Sequence, residues 1–233
     1  MTINIKKPIK INNFSEIDEK YDSIICDIWG VIHNGHELFS SSVECLLRYK
    51  KLGYPIILVT NAPRPSSEIK VILEKMGLNE KCYDKIITSG DLTQKILNKG
   101  DLGSSCYHIG PDRDLKVFEG VNVKRVDFEN ADFIFVTGLY DDENENEESY
   151  LPLLELAKKR NLKLLCANPD IWVQRGNELV PCAGAISKKY KSIGGDTINI
   201  GKPFSPIFDE ALKQIEFISE NNKNSTIVIG DGI

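Results

Sequence analysis

DSIICDIWGVIHNG, at residues 22–35, joins a short apolar run directly to a carboxylate. The run at residues 23–26 has the length and composition of a buried parallel strand, and Asp27 follows it at once. Open α/β sheets bind ligands beyond the carboxyl ends of their strands, so a ligand site is expected here. Gly30 and Gly35 allow sharp turns that bring the backbone close to a bound group. Taken alone, the pattern is most simply a strand followed by a capping Asp.

The composition is that of an ordinary soluble globular protein. The formal net charge of −5 argues against a large nucleic-acid surface. No run reaches the length of apolar residues that a membrane span needs, and residues 1–14 lack the apolar segment of a secretory signal. The six cysteines form no C-x-x-C pair and there are only three histidines, which argues against a zinc site or a disulfide framework. We therefore expect a cytoplasmic protein.

Strands and helices alternate along the first part of the chain. Apolar runs at residues 55–59 and 85–88 predict two further buried strands, each followed by a helical pattern. This alternation predicts a doubly wound parallel sheet. Ser41 and Glu44 have the spacing of a capping box, which predicts the start of the first helix.

The rest of the chain repeats the pattern. Further strands are predicted at residues 105–109, 133–137, 162–166, 198–200 and 226–229. The segment 141–148 contains six acids in eight residues, and we expect a solvated helix start or loop there.

Three later polar residues stand at strand ends or in loops, as Asp27 does. Thr60 follows the second predicted strand, Lys202 lies in a Gly-Lys-Pro loop, and Asp231 follows the last strand. Singly, they are explained as a helix cap, a surface lysine and a turn residue. Together, the four supply two carboxylates for Mg²⁺, a hydroxyl for an oxyanion and an ammonium that pairs with both. Because an aspartate can attack phosphorus, the set predicts phosphoryl chemistry.

These stretches resemble the motifs of the haloacid dehalogenase (HAD) superfamily, subclass IIA, a group of NagD-like sugar and nucleotide phosphatases with a large cap. DIWGV at 27–31, followed by HNG at 33–35, is similar to motif I. VTN at 59–61 is similar to motif II, GKP at 201–203 to motif III, and GDG at 230–232 to the start of motif IV. Four ordered motifs are far more specific than one.

The resemblance implies a nucleophile and a Mg²⁺ site. Asp27 would be both the nucleophile and a metal ligand. The backbone carbonyl of Trp29 would be a second ligand, and Asp231 would bind the metal directly or through water.

The resemblance also implies how a small phosphorylated metabolite is held. Thr60 would hydrogen-bond the phosphoryl oxygens, with the backbone N–H of Asn61 beside it. Lys202 would hold Asp27 and the phosphoryl group in place. The substrate-facing residues expected from the cap are Asn168, Pro169 and Asp170.

We therefore expect an α/β protein of two domains. Residues 1–90 and 196–233 would form a HAD-type, Rossmann-like parallel sheet core, and residues 91–195 a smaller inserted α/β cap that closes over it and excludes water. Members of the subclass often form homodimers, so the resemblance makes a homodimer one option, while the sequence itself does not decide the oligomeric state.

One departure from the family pattern lies at Trp29. Phosphatases of this superfamily carry a second Asp two residues after the nucleophile, which protonates the leaving group and then activates water. An indole N–H is neither an acid nor a base near neutral pH. Losing general acid–base help typically costs about 10²–10⁴ in rate. His33 and His36 lie nearby in the sequence, but structural roles are expected for them.

A second departure is that Ile233 ends the sequence inside motif IV. The resemblance therefore predicts a C-terminally truncated chain with an uncovered edge strand and weak metal binding. The leading function is Mg²⁺-dependent hydrolysis of a phosphorylated metabolite through an aspartyl phosphate at Asp27. Two alternatives stay open. One is an impaired HAD remnant that only binds phosphate or metal, and the other is a HAD hydrolase that acts on a non-ester bond.

Overall fold

The computed structural model describes residues 9–17, 20–175, 178–219 and 225–231. The strands within these residues are β1 (Ser23–Asp27), β2 (Ile56–Thr60), β3 (Lys85–Thr88), β4 (Ser105–Ile109), β5 (Lys124–Arg125), β6 (Phe133–Val136), β7 (Lys163–Cys166), β8 (Trp172–Arg175), β9 (Glu178–Pro181), β10 (Asp196–Asn199) and β11 (Thr226–Ile229). The α-helices are α1 (Ser40–Lys51), α2 (Ser66–Lys75), α3 (Ser89–Lys99), α4 (Leu151–Lys159), α5 (Ala183–Ser192) and α6 (Ser205–Ile218). The predicted α/β class is confirmed.

The first sheet has the strand order β11-β1-β2-β3, with every pairing parallel. Its central strands are buried on both faces, which explains why they read as continuous apolar runs. In register, Asp27 pairs with Val59, and Thr60 pairs with Thr88. The polar residues that follow the apolar runs therefore meet at one edge of the sheet.

The second sheet has the order β10-β7-β6-β4-β5 and is also parallel. All of its strands lie between β3 and β11 in the chain, so it is an insertion into the first sheet. The predicted return of the core at residue 196 is wrong in one respect, because β10 pairs with β7 of the second sheet. The pairing of β8 with β9 forms an antiparallel hairpin, which the sequence analysis did not predict.

Three hydrophobic clusters arrange these elements in layers. One face of the first sheet packs on α1 and α2, and the outer face of the second sheet packs on α4 and α5. The remaining cluster joins the other face of the first sheet, α3, α6 and the inner face of the second sheet. Ile25 of β1 and Phe133 of β6 belong to this shared cluster. The two sheets are therefore packed against a common core rather than joined only by linkers.

The predicted capping box is wrong, because the N-cap of α1 lies two residues before Ser41. Its N-cap position is Phe39, and no side chain caps it. The backbone N–H of Phe39 donates to the carbonyl of Ile32 at 2.8 Å, which ties the start of the helix to the loop after β1.

No helix among the described residues is long and apolar enough to cross a membrane.

Candidate active site

The carboxyl edge of the first sheet brings Asp27 and Lys202 together. Lys202 Nζ forms an ion pair with Asp27 Oδ1, and the backbone N–H of Ile28 donates to the same oxygen at 2.7 Å. Among the described residues, no backbone N–H donates to Oδ2. Burial raises the pKa of Asp27, while the charge and hydrogen bond of Lys202 oppose that rise. Lys202 thus offsets part of the cost of burying the Asp27 charge.

Asp231 lies close to this pair. A Cβ atom on Gly30 would collide with Asp231 Oδ2, and Gly30 has a φ of +79°, where glycine is favoured. Gly30 is therefore required for the carboxylate to approach the loop after β1. The charge of Asp231 raises the pKa of Asp27, as expected of two neighbouring carboxylates. The structure brings these two predicted metal ligands to the same place.

The charges at this edge suit a divalent cation. Asp27, Asp170 and Asp231 carry three formal negative charges, and Lys202 carries one positive charge. Within the described residues, no group of three His, Cys, Asp or Glu side chains could hold a metal ion by itself. The donors present fit Mg²⁺ better than zinc, because Mg²⁺ commonly takes one or two carboxylates and completes its shell with carbonyl, water and phosphate oxygens.

Asn61 fastens the end of β2 to two distant loops. Its Oδ1 accepts from the backbone N–H of Lys202 at 2.6 Å, and its Nδ2 donates to the carbonyl of Lys202 at 3.0 Å. Nδ2 also donates to Asp170 Oδ1 at 2.8 Å. A Cβ on Gly201 would collide with Asn61 Oδ1, so glycine permits this clamp. The backbone N–H of Asn61, which was predicted to face the phosphoryl group, takes no part in it.

Some of the remaining predicted residues line a cavity, and another packs beside a neighbouring loop. Thr60, Asn168 and Asp170 line a cavity of about 160 Å³. Pro169 does not line it, because its ring packs beside Gly201. The backbone N–H of Asp170 donates to Asn168 Oδ1 at 3.1 Å, which fixes the turn. Thr60 Oγ1 accepts from the N–H of Ala62 at 3.2 Å.

The same cavity is lined by charged residues that the sequence analysis missed. They are Arg64, Arg113, Asp114, Asp142 and Arg175. Asp142 belongs to the acidic segment expected to be solvated, yet its side chain is only 11% exposed and pairs with two arginines. The hairpin that carries Arg175 had one usable signal, the Gly-Asn pair at 176–177 between two short segments.

Trp29 connects the loop after β1 with the hairpin. Its Nε1 donates to the carbonyl of Gln174 at 3.0 Å, and its ring packs against Gly35 and meets His33 edge-on at 5.2 Å. His33 Nδ1 accepts from the N–H of Gly35 at 2.9 Å, and burial lowers the pKa of His33. Both observations favour a neutral, structural imidazole. The indole holds the two parts of the cavity wall together.

Comparison with known proteins gives consistent matches. Residues 24–124 match the family profile of haloacid dehalogenase-like hydrolases. A crystal structure of a hydrolase of the haloacid dehalogenase-like family from Brucella suis 1330 is similar with a TM-score of 0.90 and 40% identity, over 94% of this chain and 81% of that one.

Two curated proteins are also similar over most of the chain. An acid sugar phosphatase from Staphylococcus haemolyticus is 25% identical over 217 residues, which cover 91% of this chain and 78% of that protein. The 5'-nucleotidase YutF from Bacillus subtilis is 25% identical over 214 residues, which cover 91% of this chain and 79% of that protein.

Proposed function

The chain belongs to the haloacid dehalogenase-like hydrolases, subclass IIA, and from this membership we propose that it is a Mg²⁺-dependent phosphatase of a small phosphorylated metabolite. The observation that carries the proposal is the ion pair of Lys202 with one oxygen of Asp27, which leaves the other oxygen to react. The names of the similar proteins, an acid sugar phosphatase and a 5'-nucleotidase, support a phosphate ester as the substrate.

The first step forms an aspartyl phosphate. Asp27 Oδ2 attacks the phosphorus atom, the bond from phosphorus to the ester oxygen breaks, and the leaving alcohol departs with that electron pair and takes up a proton from solvent. Lys202 offsets the negative charge on the transferring group. The Thr60 hydroxyl and the backbone N–H of Asn61 donate to its oxygens. Water then attacks the phosphorus of the intermediate, which releases inorganic phosphate and restores the Asp27 carboxylate.

The metal would be held by Asp27, Asp231 and the backbone carbonyl of Trp29. When bound, Mg²⁺ supplies positive charge against the phosphoryl oxygens. The excess of negative charge at this edge of the sheet supports its binding.

One observation favours a second candidate, a hydrolase of a non-ester bond. Trp29 occupies the position at which the superfamily's phosphatases carry their acid–base Asp, and its N–H is already donated to Gln174. A reaction with a leaving group that needs no proton loses little by this replacement. Turnover of a phosphonate or a haloacid, with none of the phosphate esters, would select this candidate.

The test is phosphate release from a panel of phosphate esters, with Mg²⁺ present or removed by a chelator. Asp27→Asn should abolish turnover and the phosphorylated peptide that mass spectrometry detects after an acid quench. Asp101→Asn, which changes an exposed aspartate on the surface, is the matched control and should keep full activity. Full activity of Asp27→Asn would remove the nucleophile assignment.

A further inference from the structure

One part of the cavity beside Thr60 is lined by three arginines, and we call it the arginine pocket. It consists of Arg64, Arg113 and Arg175, together with Asp114 and Asp142. Arg64 follows β2, Arg113 and Asp114 follow β4, and Arg175 ends β8. With Asp142, which follows β6, four separate segments therefore converge on one small space, and none of these side chains has a part in the phosphoryl chemistry proposed above.

Two of the arginines share one carboxylate. Arg175 contacts both oxygens of Asp142, with Nη1 at 3.2 Å and Nη2 at 2.8 Å. Arg113 Nη2 contacts Oδ2 of the same Asp142 at 2.7 Å. A single negative charge thus balances two guanidinium groups. Asp142 also fixes their orientation, since its own side chain is nearly buried.

Arg64 is held less tightly. Its Nε lies 3.5 Å from Asp114 Oδ1, and within the described residues this buried Nε has no hydrogen-bond partner. Asp114 is 4% exposed. A buried donor without an acceptor is costly, and Arg64 is the least satisfied of the three arginines.

The cavity adjoins a region of opposite charge through Asp170, which lines the cavity and interacts with Lys202 and Asp231. The sheet edge with Asp27, which does not itself line the cavity, has the excess of negative charge that suits a cation, whereas the arginine pocket has three positive and two negative formal charges. We propose that the arginine pocket binds a second anionic group, a carboxylate or a phosphate, on the leaving part of the substrate. This inference rests on the proposed function and narrows its substrate to phosphate esters that carry a further negative charge.

Guanidinium chemistry and cavity size agree with this substrate class. Arginine forms paired hydrogen bonds with planar carboxylates and with phosphates, and such charge-assisted bonds are stronger than neutral ones. The cavity of about 160 Å³ is small, so a compact metabolite is expected rather than a polymer. Thr60 at one end and the arginines at the other would hold the two charged ends of such a molecule.

The test measures binding apart from turnover. Calorimetry with the Asp27→Asn protein in Mg²⁺ buffer compares 3-phosphoglycerate with glycerol 3-phosphate, which differ by a carboxylate. A second pair, fructose 1,6-bisphosphate and fructose 6-phosphate, differs by a phosphate. We expect the more highly charged member of at least one pair to bind about tenfold more tightly or better, the effect of one good ionic contact. The pair that shows the preference identifies the group.

Variants attribute the preference to the pocket. Arg175→Gln and, as an independent variant, Arg113→Gln should remove the preference while leaving the affinity for the less charged member within about twofold. Arg48→Gln on α1, which packs on the opposite face of the first sheet, is the control and should retain it. Equal affinities within both pairs, including no measurable binding, would overturn the inference, as would a preference that survives both variants.

The outcomes separate the two proposals. Phosphate release by the unmodified protein without any charge preference overturns the inference alone. A charge preference in binding without any turnover of the esters overturns the proposed phosphatase function alone.

Discussion

Asn61 is expected to stabilise the protein rather than to bind substrate through its side chain. Asn61→Ala removes two hydrogen bonds to the backbone of Lys202 and one to the carboxylate of Asp170. A net contribution of about 1 kcal/mol for each neutral bond and about 1.5–3 kcal/mol for the charged one predicts a loss of about 3.5–5 kcal/mol in the free energy of unfolding. Urea denaturation followed by circular dichroism measures this loss.

Two further variants make the test specific. Asn61→Asp keeps the size of the side chain and its acceptor, but it removes the donors and places a carboxylate beside Asp170, so it should also be strongly destabilised. Asn98→Ala is the matched control. The Asn98 side chain makes two bonds, both exposed: its Nδ2 donates to the carbonyl of Gly120 at 3.2 Å, and its Oδ1 accepts from the N–H of Asn122 at 3.2 Å. Their loss should lower the free energy of unfolding by about 1 kcal/mol or less. A loss below about 1 kcal/mol in the free energy of unfolding for Asn61→Ala would refute the stabilising role of the Asn61 hydrogen bonds.

Two other predictions concern the cavity wall. Burial raises the pKa of Asp114 to about 6 from 3.8, so the folded state holds this proton more tightly than the unfolded chain, and the charged side chain costs stability as the pH rises through that range. Asp114→Asn should therefore gain stability relative to the unmodified protein by roughly 2 kcal/mol between pH 4 and pH 7. Urea denaturation at both pH values measures this gain, and an unchanged difference would contradict the prediction. Trp29→Phe keeps an aromatic ring but loses the bond to Gln174. It should lower the free energy of unfolding by about 0.5–1.5 kcal/mol. It should also speed amide hydrogen exchange in β8 but not in α1. Equal effects on both elements would contradict the role of this bond in holding the hairpin.

Much of the first sheet was predictable because a parallel strand that is buried on both faces consists of a short run of apolar residues. The residues that follow such runs, Asp27 and Thr60, reach the same edge of the sheet for the same reason. The exact start of α1 was not predictable from the spacing of Ser41 and Glu44, because a contact of Phe39 with the loop after β1 sets it.

The hairpin and the placement of β10 were also beyond local patterns. The hairpin strands are short and mostly exposed, so they leave little apolar periodicity to recognise. The strand β10 lies directly before Lys202 in the chain, and only its pairing with β7 assigns it to the second sheet.

The sequence by itself determined the fold class, the order of the motifs and the identity of the charged groups at the strand ends, because these follow from runs of neighbouring residues. Only the tertiary structure decided which distant groups meet. Asn61 reaches Lys202 across 141 residues, and Trp29 reaches Gln174 across 145. Arg175 and Asp142 look like ordinary surface charges in the sequence, and they become part of a pocket because the fold places the hairpin against the loop after β6, where water cannot fully screen them.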